Sequence, residues 1–213
     1  MASRRGACYR GGVLFACKMR SGAGTLFALV LTALAGATPA DAMVVVQRDF
    51  PELVARAEQI VVGTVTDIEP GADNSGVPVT FVTLSDLSVL KGDVGPTLTL
   101  RFYGGTVGNA VVQVPDMPTF TVGERDLLFV AGNNRDVCPL VGVWQGRFYV
   151  RFDPTLGTDI VEDSTHQSLT GIAGRKLLRA PAFSGTVPMT LDAFHQLVAD
   201  ELAHPQPARD SAR

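Results

Sequence analysis

Apolar and polar residues alternate in short bursts along most of this chain, and the bursts are separated by Gly, Pro, Asn and Asp. Thr97 to Tyr103 is the cleanest case, with Leu98, Leu100 and Phe102 on one face and Thr97, Thr99 and Arg101 on the other. Arg147 to Phe152 repeats it, setting Phe148, Val150 and Phe152 against Arg147, Tyr149 and Arg151. Such period-two patterning in Val, Thr, Ile and Phe favours half-buried strands joined by turns. On this basis Gln59 to Glu69 is a first strand with a bulge or bend at Gly63, and Pro70 to Gly76 a turn. Val79 to Leu90 is a second strand bending near Ser85-Asp86. Gly104-Gly105 breaks the third strand, Ala110 to Val114 is short and apolar, and Pro115-Asp116-Met117-Pro118 forces an irregular connection. Asp126 to Val130 is nearly all apolar and should be the most buried strand. Val137 to Trp144 is expected to pair with Arg147 to Phe152, and Ile160-Val161 to return beside them.

Two helices bracket the strands. Asp49-Phe50-Pro51-Glu52 has capping-box spacing and predicts a short helix to about Glu58. Thr190 caps a final amphipathic helix in which Leu191, Phe194, Val198 and Leu202 share one stripe. Residues 163 to 189 lack periodicity and are expected to be a surface loop, and 204–213 a disordered tail.

The first 42 residues have another character. Arg20, the uncharged run Thr25 to Ala37 and the small-x-small triplet Ala40-Asp41-Ala42 fit a signal peptide cleaved after Ala42, with Met19 as an alternative start that makes 1–18 an upstream extension. Ser3-Arg4-Arg5 and Leu14-Phe15-Ala16-Cys17 are weak matches to a twin-arginine signal and a lipoprotein box, and neither has the flanking residues those signals need. The expectation is a periplasmic or secreted protein with one domain over 43–203. No run reaches the roughly 20 apolar residues of a membrane span, so no stable membrane anchor is expected.

Cleavage removes five of the 18 basic and one of the 21 acidic residues, leaving a net charge of −7. That surface repels phosphate backbones, which argues against nucleic acid as a partner. It also removes Cys8 and Cys17, so Cys138 is left without an internal disulfide partner and the core alone must hold the fold.

The runs Ile60-Val61-Val62-Gly63-Thr64-Val65, Ser88-Val89-Leu90-Lys91-Gly92, Leu98-Thr99-Leu100-Arg101 and Val122-Gly123-Glu124-Arg125-Asp126-Leu127-Leu128-Phe129-Val130 together resemble the netrin-like, tissue-inhibitor-of-metalloproteinases-like domains and their secreted bacterial relatives. The resemblance covers roughly residues 52 to 152. It implies a mainly β fold, an OB-like Greek-key β-barrel, here carrying a short N-terminal helix and a C-terminal amphipathic helix. In the animal family, protease inhibition depends on a cysteine at the mature N-terminus that reaches the catalytic zinc. The expected N-terminus here is Met43-Val44-Val45, without that cysteine.

Catalytic chemistry has few candidates. Glu162-Asp163-Ser164-Thr165-His166 contains the residue types of a hydrolytic triad, but residues so close in sequence rarely converge on one atom, and a polar cluster is the simpler reading. Cys138 is a nucleophile or a small buried apolar residue. His195 flanks the apolar stripe of the last helix, and no histidine pair has zinc spacing. Asp153, Thr155, Asp159, Glu162 and Asp163 offer oxygens to calcium without matching a calcium loop. No cofactor or metal is expected.

Gly104-Gly105-Thr106-Val107-Gly108-Asn109 lacks the end of a P-loop and is expected instead to be a rim loop that lets a partner's backbone approach. The candidate interaction rim is therefore Gly104, Gly105, Thr106, Gly108 and Asn109, with Tyr103 and Tyr149 as aromatic contacts. The first expectation is a non-enzymatic module binding another exported or envelope protein, with a protease among the candidate partners. The rivals are a secreted hydrolase using His166 or Cys138 and a structural cell-envelope component.

Overall fold

Asp49 opens the first element as its spacing predicts. In the computed structural model, which describes residues 46–180 and 185–206, its side chain accepts the Glu52 N–H at 3.1 Å and the Glu52 carboxylate accepts the Asp49 N–H at 3.4 Å. The resulting helix α1, Phe50–Arg56, buries Phe50, Leu53 and Val54. It stops before Glu58, because the Glu58 N–H is already bonded to the Val130 carbonyl at 2.8 Å and the chain has entered the sheet. Lys91 reaches back from the second strand, its Nζ donating to the Val54 carbonyl at 2.8 Å and to that of Ala55 at 3.4 Å, so a cation satisfies the open carbonyls of the last turn.

The fold is mainly β. Strands β1 (Gln59–Ala72), β2 (Pro78–Lys91), β3 (Leu98–Tyr103), β6 (Arg125–Val130), β7 (Arg147–Asp153) and β8 (Thr158–Glu162) form one antiparallel sheet in the order β3-β2-β1-β6-β7-β8. β1 pairs with β2 along its length and with β6 only over Gln59–Thr64, while β3 pairs with Val79–Leu84 of β2. The sheet bends between these halves. Register shifts fall at Ile60/Val61, Val62/Thr64 and Val65/Asp67, the middle one opposite Asp86, whose φ of 52° is a bulge conformation. Gly63 sits at the bend, where a Cβ would meet the Leu87 side chain at 2.5 Å.

Bending gives the sheet two buried faces. Inside the curl pack Val61, Val65, Val82, Leu84, Leu100, Phe102 and Leu128. On the outer face Ile60, Val62, Leu127, Phe129, Phe148 and Val161 pack under α1 and the final helix α2, Leu191–Ala203. That two-sided burial explains the unbroken apolar run in β6, in which every residue after Arg125 is buried. Phe194 of α2 makes edge or tilted ring contacts with Phe50, Phe129 and Phe148.

Among the described residues no ladder joins β3 to β8, so the large sheet is open rather than a closed barrel. The outer edge of β3 is nevertheless covered by residues 131–138. Asn133 Oδ1 accepts the Arg101 N–H at 3.1 Å, its Nδ2 donates to the Thr99 carbonyl at 2.9 Å, and the Tyr103 N–H donates to the Val137 carbonyl at 2.9 Å.

Several expectations are corrected. β1 runs on to Ala72, and the turn tightens to 73–77, where Asp73 Oδ1 accepts the N–H groups of Ser75 at 2.8 Å and Val77 at 2.9 Å. Val137 to Trp144 is not a strand: Gly142 and Val143 take φ of 65° and 61°, and Val143–Gly146 is a 3-10 turn. β7 therefore pairs with β6 and β8 instead. Residues 163–189 hold a hairpin, β9 (Leu169–Ala173) with β10 (Lys176–Arg179), and Leu169 is buried. Gly105 does not only break the chain but begins β4 (Gly105–Val107), which pairs with β5 (Ala110–Val112).

Residues 1–42, including Ala40 and Ala42, lie outside the described residues, as do 207–213 of the tail. Of the tail, Gln206 is tied by its N–H to Glu201 Oε1 at 2.8 Å. No helix among the described residues is long and apolar enough to cross a membrane.

Candidate interaction rim and the cavity behind it

Tyr103 ends β3 with its hydroxyl donating to Asp73 Oδ2 at 2.8 Å and the Arg101 guanidinium 5.1 Å from its ring centre. The bond to the Asp73 carboxylate holds the phenol above its ordinary range, and the Val77 N–H and the phenol hold Asp73 below its own. Gly104 follows with φ 102°, its N–H on the Pro78 carbonyl at 3.0 Å and its carbonyl accepting the Thr80 hydroxyl at 2.8 Å. Gly105, at φ 136°, lies so close to β2 that a Cβ would stand 2.8 Å from Thr80 Oγ1. Glycine at both positions is thus a steric requirement. Beyond them Thr106, Gly108 and Asn109 form the β4–β5 hairpin, with Val111 61% exposed on its second strand.

The structure brings Tyr103, Gly104, Gly105, Thr106, Gly108 and Asn109 to this one rim. Tyr149 lies elsewhere, on β7, paired with Asp126 and Glu162 and stacked on His166 at 4.1 Å between ring centres.

Behind the hairpin is a cavity of about 500 Å³ walled by Ile68, Val82, Phe102, Val114, Met117 and Phe120, with Tyr103, Thr80, Gln113 and Thr119 as its polar groups. The segment 113–120 that forms one wall is the part that sequence reasoning passed over as a connection. Its signal is the placement of Val114, Met117 and Phe120 around Pro115 and Pro118, which is more apolar surface than a solvated loop carries.

Arg147 packs behind the Phe120 wall without lining this cavity. Its guanidinium lies 3.9 Å from the Phe120 ring centre and 4.4 Å from that of Tyr149. It donates to Asp126 Oδ1 at 3.2 Å, Asp126 Oδ2 at 3.0 Å, Glu124 Oε2 at 2.9 Å and the Thr119 carbonyl. Asp126 is wholly buried, and burial outweighs the attraction of Arg147, pushing its carboxyl up to about 6.

The remaining candidates are dispersed. Cys138 packs against the inner core, and burial pushes its thiol up to about 11. His166 takes φ 60° in a turn organised by Asp163, whose Oδ1 accepts Thr165 Oγ1 at 2.6 Å and the Thr165 N–H at 2.8 Å, and whose Oδ2 is paired with Arg179. Burial raises the Asp163 carboxyl, but the bonds from Thr165 and Arg179 outweigh it and leave it below its usual range. His195 is half-buried, and desolvation lowers its imidazole. Asp153 accepts the Thr155 N–H at 2.8 Å and Asp159 pairs with Arg125, so their oxygens serve the turn and a neighbouring strand. Among the described residues no group of three acidic, histidine or cysteine side chains is placed to hold a metal ion.

The chain matches no family model, and no curated protein or solved structure matches it.

Proposed function

We propose that this chain is an exported, non-enzymatic interaction module that grips an extended apolar segment of another exported protein at the mouth of its curled sheet. The observation that carries this reading is the apolar cavity of about 500 Å³ directly behind a hairpin whose two entry glycines lie flush with β2. Apolar walls with a few polar groups at the lip suit a buried anchor side chain, and the exposed β4–β5 hairpin supplies backbone beside it. A thiol held near 11 and a histidine engaged with Tyr149 and Glu162 favour binding over hydrolysis.

The finer fold belongs to the same proposal: an OB-like, netrin-like domain. Its support is a long, bulged β1 shared by β2 and β6, and the loop 131–138 bonded to the edge of β3 where a barrel would close.

A photoreactive side chain at Val111, tested in the producing cell, should form a cross-link to one exported protein that Phe152 on β7 does not form. Val82→Phe, which fills the cavity, should weaken that cross-link roughly tenfold or more while the fold persists. Equal labelling from both positions would count against the rim. A metalloprotease among the captured proteins would bring in the inhibitor form of the proposal, read directly as lost protease activity.

A further inference from the structure

A second cavity, of about 400 Å³, opens between α1, the 3-10 turn and the β9–β10 hairpin, and shares no lining residue with the mouth. Its apolar part is Phe50, Leu53, Phe148, Leu169 and Leu177, and Trp144 stands beside them 38% exposed. The charges around it are unevenly spent. Asp49 is bound by Arg175 at 2.5 Å, Asp163 is paired with Arg179, and Glu52 completes the capping box. Arg147 is committed to Asp126 and Glu124.

Two cations are left over. Lys176 and Arg48 line the cavity, and among the described residues neither has an acidic partner within ion-pair distance. Arg48 is fixed through its backbone, its N–H donating to Gln145 Oε1 at 2.8 Å while Gln145 Nε2 donates to the Val46 carbonyl at 3.0 Å. Its Nε is buried and has no hydrogen-bond partner. A buried guanidinium N–H without an acceptor is a costly arrangement that proteins keep rarely.

The geometry points to a binding site for a carboxylate carried on an aromatic or branched aliphatic body, with Arg48 and Lys176 holding the anion and Trp144, Leu177 and Phe148 the apolar part. The volume fits a small molecule or the last residues of a peptide, and both sources present the same chemistry. Arg48 sets specificity, because its planar fork favours a carboxylate over a neutral amide.

Trp144 is the one tryptophan of the chain, so its fluorescence reports on this cavity alone. Titration of the full-length protein with 3-phenylpropionate, and separately with N-acetyl-leucyl-phenylalanine, should give saturable changes, whereas 3-phenylpropionamide should give none. Arg48→Met and Lys176→Met should each weaken the better acid by roughly tenfold, with thermal midpoints near that of the parent showing that both variants still fold. Tighter binding of the free acid assigns the site to a small molecule, and tighter binding of the peptide assigns it to a chain terminus. No saturable change with either acid, equal binding of acid and amide, or undiminished binding in folded Arg48→Met overturns the proposal.

Discussion

Arg147 is the residue on which most of the inner structure converges, since one guanidinium joins β6, β7 and the 119–120 segment through bonds to Asp126, Glu124 and the Thr119 carbonyl. Arg147→Met would leave the buried Asp126 carboxylate without its cation and should cost roughly 3–5 kcal/mol by urea denaturation at pH 7. Asp126 itself has a pH signature. Its folded carboxyl titrates near 6 against a reference of 3.8, so between those values the folded state binds more protons than the unfolded one. Its contribution to stability is therefore present at low pH and declines as pH rises through the window, by up to roughly 3 kcal/mol. The parent should lose stability relative to Asp126→Asn between pH 4 and pH 6, and a parallel pair of stability curves would contradict the burial argument. Cys138, with its thiol near 11, should be alkylated at pH 8 at least about tenfold more slowly than free cysteine, read by peptide mass spectrometry at that residue. Rapid alkylation would favour the hydrolase alternative.

At the level of elements, legibility in the sequence follows how locally each one is determined. α1 and α2 are set by nearby groups, the Asp49–Glu52 box and the Thr190 hydroxyl that accepts the Ala193 N–H at 3.2 Å, and both were readable. Thr190→Ala should cost about 1 kcal/mol and Asp49→Ala more, because Asp49 also holds Arg175. Phe194→Ala, which empties the centre of the aromatic cluster joining α2 to the sheet, should cost roughly 3–5 kcal/mol in the same denaturation assay. The strands that alternate were readable too. Val137 to Trp144 was not, because its apolar content serves two ends: Leu140 enters the inner core and Val141 the outer one, across a backbone that turns at Gly142. The β9–β10 hairpin was missed for the opposite reason. Only Leu169 is buried on it, so Leu169–Ala173 and Lys176–Arg179 carry no clear alternation, and their pairing depends on the turn before Lys176, where Gly174 takes φ 60°.

The whole molecule shows why the rim was legible and the cavity behind it was not. Gly104 and Gly105 announce a special backbone locally, whereas the cavity walls come from Ile68, Val82, Phe102 and Met117, which only the bend of β1 and β2 brings together. The edge of β3 beside that bend is covered by Asn133, which imitates a neighbouring strand by accepting from the Arg101 N–H and donating to the Thr99 carbonyl. Asn133→Ala removes both bonds while the Tyr103 N–H keeps its bond to Val137. The two freed groups lie near solvent, so water recovers part of their energy and the loss should be about 1–2 kcal/mol rather than the full cost of burying them unpaired. Native-state hydrogen exchange reads the effect locally. The Arg101 amide should exchange at least about tenfold faster in the variant, while Leu127 and Phe129 in the doubly buried β6 speed up only by the global change in stability. An exposed strand edge also recruits other chains, so the variant should self-associate at concentrations where the parent does not. Unchanged Arg101 protection in folded Asn133→Ala would mean that the curl is held by core packing alone, with the 131–138 loop merely resting against it.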